Sequence, residues 1–335
     1  MKRVASKLKQ LSTNWEFILF LLVLSEIVIF SAKNQKFLLP RVLFGSMNDI
    51  ISICIISLFV TFVMITGGID IQVGSIVGLT SIIIGVAWQD GGLDIWAACL
   101  LAILAAALCG TLSAIFIAYY NVQPMVVTLG GSFLYAGVAR MVSNFSATAS
   151  YKGISGFPNS FRSIGKTKLF GFLPGQVILF LVLAILAYIL LHKTKYGRRI
   201  FLIGVNAKAA GYSGIKTKFI VLTTYVLSAV SAAFAGIVLT AYLGTAKSDL
   251  GSNLTLPIIT AVVLGGTSSN GGKGNVIGTA LAAIAIGLLR FGLPLCFGIS
   301  QQYLEIPVGL LLLLVITARA LWPKVYAHFQ KRKTA

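Results

Sequence analysis

The chain has 335 residues, of which 57% are hydrophobic and only 10% are charged, with 27 Lys and Arg against 8 Asp and Glu. A soluble domain has about 25% charged residues, so this sequence has too little charge to cover a water-facing surface, and a soluble enzyme is excluded. The net charge of +19 does not indicate nucleic acid, because the cations cluster beside apolar segments, where they orient a membrane protein and meet lipid headgroups.

Apolar segments of membrane-spanning length recur along most of the chain. Basic residues precede the apolar run 17–30, as in a signal peptide, but no small-residue cleavage site follows, so this run is expected to be retained. Glycine, proline and charge divide the rest and predict an all-α, polytopic membrane bundle of about ten helices, forming one transmembrane domain over 1–335. The expected spans are 15–31, 49–66, 75–88, 93–119, 122–142, 173–191, 219–243, 254–267, 276–289 and 303–321.

Three of these segments, 75–88, 254–267 and 276–289, are shorter than the roughly 20 residues that a straight helix needs to cross the hydrocarbon core. Glycine clusters flank them, so we predict broken or partial helices inside the bundle, where neighbours satisfy the freed backbone groups. Small residues that repeat every four positions in 98–118 and 228–240 predict close helix packing.

The distribution of Lys and Arg predicts the orientation. Placing the N-terminus inside puts most cations on the inner side, so the positive-inside rule favours two cytoplasmic termini in an inner-membrane protein. The same orientation makes 192–218 a cytoplasmic loop and 145–172 an external loop, and it leaves Arg290 on the outer side between spans.

The first glycine-rich break places an acid between two apolar segments. Burying the Asp70 carboxylate in a membrane costs at least about 2.5–3.5 kcal/mol unless it is paired or hydrated, which makes it a functional candidate. Its simpler interpretation is a helix cap that accepts hydrogen bonds from the amides of residues 72 and 73. Both interpretations stay open, and the candidate translocation-path residues here are Gly68, Asp70, Gly74 and Ser75.

Two further breaks contain Leu-Gly-Gly. Segment 124–131 begins with a proline and is expected to be loosened by two glycines, and segment 264–278 is rich in glycine. Glycine permits positive φ and close approach to a helix or a solute. The similarity of VVTLGGSF and AVVLGGTS suggests an internal repeat. Path or helix-break candidates here are Pro124, Thr128, Gly130, Gly265, Gly266 and Gly272.

The basic loop between spans has the signals of a short helix. Asn206 is a good N-cap, 207–210 are good helix formers, and Gly211 or Gly214 can end the helix, which would lie parallel to the membrane. Such a helix suits docking into the groove of a partner protein. The alternative is a loop whose charges only set topology.

A catalytic site is not indicated. The two histidines, His192 and His328, lie in basic clusters, and the four cysteines lie in apolar stretches without metal-ligand spacing. The glycines near Lys273 do not complete a phosphate-binding loop, because Thr267 and Gly274 occupy two of its required positions. We therefore expect no enzyme activity, no metal and no cofactor in this chain.

Four ordered motifs resemble the membrane subunits of ribose-type ATP-binding-cassette (ABC) importers: GGIDIQVGS at 67–75, PMVVTLGG at 124–131, TKYGRRIFLIGVNAKAAGYSGI at 194–215 and PIITAVVLGGTSSNGGKGNVIGTA at 257–280. The resemblance implies a permease that pairs with a sister permease and receives solute from a periplasmic solute-binding protein. Two ATPase subunits would use ATP and Mg at the cytoplasmic face. By the same resemblance, the basic loop couples to an ATPase, through Gly197, Arg198, Gly204, Asn206, Ala209, Ala210, Ser213 and Gly214.

Three segments are similar to the branch of this family that imports the quorum-sensing signal autoinducer-2: GISGFP at 153–158, LHKTKYGRRIFLIG at 191–204 and AKSDLG at 246–251. Sugar-transporting relatives commonly have an acid where Pro257 stands and Leu-Ser at 71–72. Lys208 and Gly211 replace residues that are often Glu and Arg, which favours a heterodimer with unequal halves. A ribose or other sugar permease is the alternative. A stand-alone ion-coupled carrier using Glu16, Glu26 and Asp70 is the alternative from another class.

Overall fold

The computed structural model describes residues 15–149, 152–169, 171–315 and 317, so the expectations for both tails lie outside the described residues. Its helices are α1 (Trp15–Lys33), α2 (Pro40–Gly45), α3 (Met47–Ile65), α4 (Val73–Gln89), α5 (Ile95–Ala118), α6 (Pro124–Ser143), α7 (Asn159–Lys166), α8 (Gly175–Tyr188, extended by a π turn at Ile189–Lys193), α9 (Lys195–Val205), α10 (Ala207–Tyr212), α11 (Thr217–Leu243), α12 (Thr255–Leu264), α13 (Val276–Phe297) and α14 (Glu305–Val315).

The predicted all-α class is confirmed. Six helices of the described residues are long and apolar enough to cross a membrane: α1, α5, α6, α8 with its π turn, α11 and α13. Shorter apolar helices occupy residues 50–65 of α3, α4, α12 and α14. The predicted broken or partial helices at 75–88 and 254–267 correspond to α4 and α12, while a total of ten membrane crossings stays a prediction.

The third segment expected to be partial is not. Helix α13 continues past residue 289 to Phe297 and has 22 residues. Its glycines permit close packing and do not interrupt the helix. An added Cβ at Gly287 would overlap Ile50 of α3, and one at Gly292 would overlap Phe30 of α1. Arg290, which was expected between spans, therefore lies inside a helix of spanning length.

The bundle has two distinct ends. The basic end is defined here by residues 193–218, which include α9 and α10. The start of α13 lies at this end, because the Val276 amide donates a 3.4 Å hydrogen bond to Nε2 of His192, which directly precedes residue 193. The start of α1 and the end of α12 join it there, because Asn275 bonds to Glu16 and Trp15 Nε1 donates a 2.7 Å hydrogen bond to the Leu264 carbonyl. At the opposite end, β1 (Ile154–Ser155) pairs antiparallel with β4 (Thr245–Ala246). A second pair there joins β2 (Lys168–Leu169) to β3 (Leu173–Pro174). The membrane side of each end stays a prediction.

Helix α11 runs through the centre of the bundle, where the small residues expected from the sequence give it close neighbours. An added Cβ at Gly110 of α5 would lie 2.7 Å from the Ala229 Cβ of α11. An added Cβ at Gly236 would lie 3.0 Å from the Thr80 Cβ of α4. The predicted close packing is confirmed, and it places the break between α3 and α4 directly against α11.

Candidate functional site

Asp70 lies fully buried in the break between α3 and α4. Its Oδ1 accepts a hydrogen bond from the Gln72 amide at 3.2 Å, and its Oδ2 accepts one from the Ser228 hydroxyl at 2.7 Å. A rise of about 1.5 Å per residue places Ser228 roughly 16 Å along α11, well inside the bundle. Of the two predicted cap contacts, the bond from amide 72 is present, but it lies just before α4, whose N-cap residue is Gln72. Asp70 therefore joins the break to α11.

A second polar connection begins at Gln72, which is also fully buried. Its Oε1 accepts a 2.7 Å hydrogen bond from Ser113 of α5, and Ser113 Oγ lies 3.0 Å from the hydroxyl of Tyr135 on α6. The Gln72 Nε2 has no hydrogen-bond partner among the described residues. Side chains of the break thus connect it to α11, α5 and α6. The break also contains one buried amide donor without an acceptor among the described residues.

Helix α6 is continuous from Pro124 to Ser143, so the expectation that two glycines loosen it is wrong. An added Cβ at Gly131 would overlap Gln72 Oε1, whereas nothing lies within 4 Å of the same position on Gly130. Gly131 therefore provides space for the break, and Gly130 faces outward. Thr128 is buried beside them, with Oγ1 3.2 Å from the Ile69 carbonyl.

The chain segment between β4 and α12 approaches α4 closely. An added Cβ at Gly74 would lie 2.7 Å from Thr255 Oγ1, and Thr255 Oγ1 donates a 3.3 Å hydrogen bond to the Ile71 carbonyl. Ser75, the next candidate, is half-buried. The contact shows that the break also touches the start of α12.

Gly265 and Gly266 end α12 as the sequence predicts, and Gly266 has a φ of +105°. An added Cβ at Gly265 would overlap Thr279 at the start of α13, so glycine here permits a close helix crossing. The two Leu-Gly-Gly sequences therefore differ in position, one inside α6 and one at the end of α12. The suggested internal repeat has no counterpart in local structure at these sites.

Three chain segments meet through backbone atoms at the basic end, in what we call the three-segment joint (Ile65, Gly67, Gly204, Gly271 and Gly272). The Gly272 amide donates a 2.9 Å hydrogen bond to the Ile65 carbonyl. An added Cβ at Gly204 would overlap the Ile65 carbonyl oxygen and the Gly272 amide. Gly67, Gly271 and Gly272 have φ of +84°, +83° and +75°, which favour glycine. The joint brings a coupling candidate, Gly204, against a path candidate, Gly272.

The basic loop forms two helices, of which the second was predicted. The Asn206 side chain accepts a 3.0 Å hydrogen bond from the Ala209 amide, which confirms the predicted cap of α10. The turn after α10 ends at Gly214, with φ of +79°, whereas Gly211 lies inside the helix. The preceding helix α9 is capped by Thr194, whose hydroxyl accepts from the Gly197 amide at 3.2 Å. The sequence pattern did not distinguish α9 from the loop.

The remaining coupling candidates divide by exposure. Ala210 is 5% exposed and contacts its own chain, whereas Arg198, Ala209 and Ser213 are exposed. An added Cβ at Gly197 would overlap the Leu191 carbonyl, so Gly197 seats α9 on the end of α8. Tyr212 is 92% exposed beside them, which gives α10 an aromatic side chain that its own bundle does not cover.

A cavity of about 790 Å³ separates α10 from the break. Gly67 and Gly68 form one wall and Lys208 and Tyr212 form another. Tyr225 of α11 also lines it, and an added Cβ at Gly68 would overlap the Tyr225 hydroxyl. Pro124 lines a third side, so the path candidates Gly68 and Pro124 face the same space as α10, although none of the coupling candidates lines it. Among the described residues, no three His, Cys, Asp or Glu side chains lie close enough to hold a metal ion.

The sequence matches known permeases along nearly its whole length. Residues 42–316 match the family described as the branched-chain amino acid transport system permease component. The chain is 39% identical to the autoinducer 2 import system permease protein LsrD of Klebsiella pneumoniae, over 95% of this chain and 98% of that protein. The LsrD proteins of Photorhabdus luminescens and Enterobacter sp. strain 638 are 40% and 41% identical, over 92% of this chain and 91% and 93% of their own lengths.

One solved structure shares the fold. The structure of PsaBC from Streptococcus pneumoniae in complex with Fab superposes with a TM-score of 0.50 and 13% sequence identity. The match covers 89% of this chain and 99% of the PsaBC chain. At this identity the likeness concerns the arrangement of helices alone.

Proposed function

The chain belongs to the permease family of branched-chain amino acid transport systems, and from this premise we propose that it is one permease subunit of an ATP-driven importer of autoinducer-2. The names of the relatives support the solute, since proteins about 40% identical over more than 90% of the chain are autoinducer 2 import permeases. In this proposal a sister permease completes the gate, a periplasmic solute-binding protein delivers the solute, and ABC ATPase subunits supply the energy.

The basic loop is the site where the ATPase drives this chain. Helix α10 presents exposed side chains at one end of the bundle, including Ala209, Tyr212 and Ser213, which suit a groove in a partner subunit. The clustered cations of this end favour its cytoplasmic placement, the compartment that contains ATP. The proposal therefore places both termini, α10 and the ATPase on the cytoplasmic side of the inner membrane.

The observation that carries the proposal is the three-segment joint. A force on α9 and α10 reaches Gly204, whose backbone contacts the Ile65 carbonyl and the Gly272 amide. Ile65 ends α3, and only a short segment separates it from Asp70, which is bonded to α11. Because close-packed backbone atoms transmit displacement without side-chain rearrangement, a movement of the loop becomes a movement of the break.

The polar break is the part of the gate that we expect to respond. Both Asp70 oxygens accept hydrogen bonds within the protein, so Asp70 acts as an anchor that holds the break against α11. The Gln72 Nε2 is a buried donor that no described residue uses. A hydroxyl-rich solute such as a hydrated furanose supplies acceptors for that donor when the break opens. Asp70 therefore positions the break, and Gln72 is the proposed solute contact.

The solute assignment is tested by reconstitution. The chain is incorporated into liposomes with its sister permease, ATPase subunits and solute-binding protein, and uptake of labelled autoinducer-2 is measured with ATP. We expect ATP-dependent uptake that excess unlabelled autoinducer-2 reduces at least tenfold and that equal ribose leaves unchanged. Uptake of ribose instead would show that the chain is a sugar permease, and the proposed coupling through α10 would be unaffected.

Ala210→Glu is expected to uncouple uptake from ATP hydrolysis. Ala210 is buried against its own chain, so a carboxylate there must leave the interior and displaces α10 from its seat. We expect ATP-dependent uptake to fall at least tenfold while membrane insertion, measured by protease accessibility of the tails, is unchanged. Ala149→Glu is the matched control, because Ala149 is exposed at the opposite end of the bundle. Unchanged uptake by Ala210→Glu would contradict the role of α10.

A further inference from the structure

A second cavity, of about 510 Å³, lies at the end of the bundle opposite α10. It is formed by the ends of α3, α11 and α13 and by residue 304. Its lining side chains are apolar apart from one guanidinium and one phenol: Ile50, Leu239, Tyr242, Leu243, Arg290, Phe291, Pro294, Leu295 and Leu304. The mechanism proposed above does not use this cavity.

Arg290 is the unusual member of the lining, because a cation inside a spanning helix is costly unless it has a counter-charge. Its Nη1 is buried and has no hydrogen-bond partner among the described residues. Buried polar atoms in folded proteins nearly always have one. The nearby acid, Glu305, attracts the guanidinium electrostatically, but it is exposed at the start of α14 and makes no hydrogen bond to this nitrogen. The cavity therefore presents an unsatisfied donor of positive charge.

The position of the cavity indicates what supplies the missing acceptor. Arg290 stands seven residues before Phe297, which at about 1.5 Å per residue is roughly 10 Å from the end of α13. In a helix that ends at the headgroup surface, a residue at this distance lies near the boundary between lipid headgroups and acyl chains. Leu243 and Leu295 are 52% and 39% exposed at the rim, so the cavity opens toward the apolar surroundings of the bundle. Pro294 contributes to the opening, because it cannot donate the helix hydrogen bond to the Arg290 carbonyl.

We propose that this cavity binds an anionic phospholipid, with the phosphate paired to Arg290 and an acyl chain along Leu239, Leu243 and Leu295. A guanidinium binds phosphate with two parallel hydrogen bonds, which satisfies the buried nitrogen and its charge together. The aliphatic lining takes the apolar part of the same molecule. A free phosphate ion would pair with the guanidinium but would leave the aliphatic side chains without an apolar partner. A neutral polar solute would neither balance the charge of Arg290 nor pack against those side chains.

The proposal is tested on the purified full-length chain in detergent after removal of native lipid. The midpoint of thermal unfolding is measured with added phosphatidylglycerol, phosphatidylcholine, inorganic phosphate or autoinducer-2, and bound lipid is counted by native mass spectrometry. We expect phosphatidylglycerol to be retained and to raise the midpoint, and phosphatidylcholine to have a much smaller effect. Arg290→Gln should lower retention at least fivefold. Leu239→Trp, which fills the cavity and leaves the charge in place, should do the same.

Lys33→Gln is the matched control, because it removes an exposed cation at the same end of the bundle and should retain the lipid. Equal retention of phosphatidylglycerol by the wild type and both cavity variants would show that the lipid does not bind in this cavity. Stabilisation by inorganic phosphate equal to that by phosphatidylglycerol would identify a free-anion site instead, and displacement of lipid by autoinducer-2 would assign the cavity to the solute path. None of these results depends on transport, so the outcome is separate from that of the proposed function.

Discussion

Gly204→Ala is expected to reduce ATP-dependent uptake strongly while leaving ATP hydrolysis by the assembled importer unchanged. The added methyl group would overlap the Ile65 carbonyl oxygen and the Gly272 amide, and both are backbone atoms that cannot rotate away. The three segments of the joint must therefore separate. Helix α9 then moves without displacing the end of α3, and we expect uptake to fall at least tenfold at unchanged hydrolysis per complex.

The matched control for this variant is Gly211→Ala in the neighbouring helix α10. Nothing lies within 4 Å of an added Cβ at Gly211, and alanine favours the helix by about 1 kcal/mol over glycine. Its uptake should equal that of the wild type. Copurification of the partner subunits shows whether each variant still assembles. A Gly204→Ala complex that assembles and transports at the wild-type rate would show that transport does not require the three-segment joint.

Ser228→Ala is expected to destabilise the bundle and to reduce transport together. The substitution leaves Asp70 Oδ2, a fully buried carboxylate oxygen, without its 2.7 Å hydrogen bond from α11. Removing one partner of a buried polar pair costs about 1–3 kcal/mol, and more when the orphaned group is charged. We expect a lower midpoint of thermal unfolding for the purified complex and a loss of uptake at temperatures where it is still folded.

Ser231→Ala is the control for that loss, because it removes a hydroxyl of the same helix that is also buried. Within the part of the chain that the structure describes, the Ser231 hydroxyl bonds only to the carbonyl of Ser228 in its own helix, so its removal leaves no carboxylate unpaired. Its unfolding midpoint and uptake should stay close to those of the wild type. Equal effects of the two substitutions would show that Asp70 does not depend on α11.

The sequence predicted those features that local chemistry determines. The cap at Asn206 and the glycine after α10 are signals within a few residues of the structure they specify, and both predictions are confirmed. The glycines of α13 and α6 predict breaks that the structure does not contain, because a glycine that ends a helix and a glycine that admits a neighbour look alike in sequence. Gly292 accommodates Phe30 and Gly131 accommodates Gln72, contacts that only the packed bundle reveals.

The connections of the site were beyond prediction for the same reason. Gln72 and Ser113 are 41 residues apart and Ser113 and Tyr135 are 22 apart, with no local pattern that joins them. Ser113 stands out only as a polar residue in an apolar helix, which is a weak signal for a site. The three-segment joint likewise combines glycines whose separate motifs were visible in the sequence but whose meeting was not.

ATP-driven import is tested most directly by measuring which energy source moves the solute. Proteoliposomes containing this chain alone, or the chain with its sister permease, ATPase subunits and solute-binding protein, are supplied with ATP or with a proton or sodium gradient. We expect autoinducer-2 uptake only by the full assembly, with ATP on the side that α10 faces. Uptake by the isolated chain along an ion gradient, or by the assembly with ATP on the other side, would contradict this expectation.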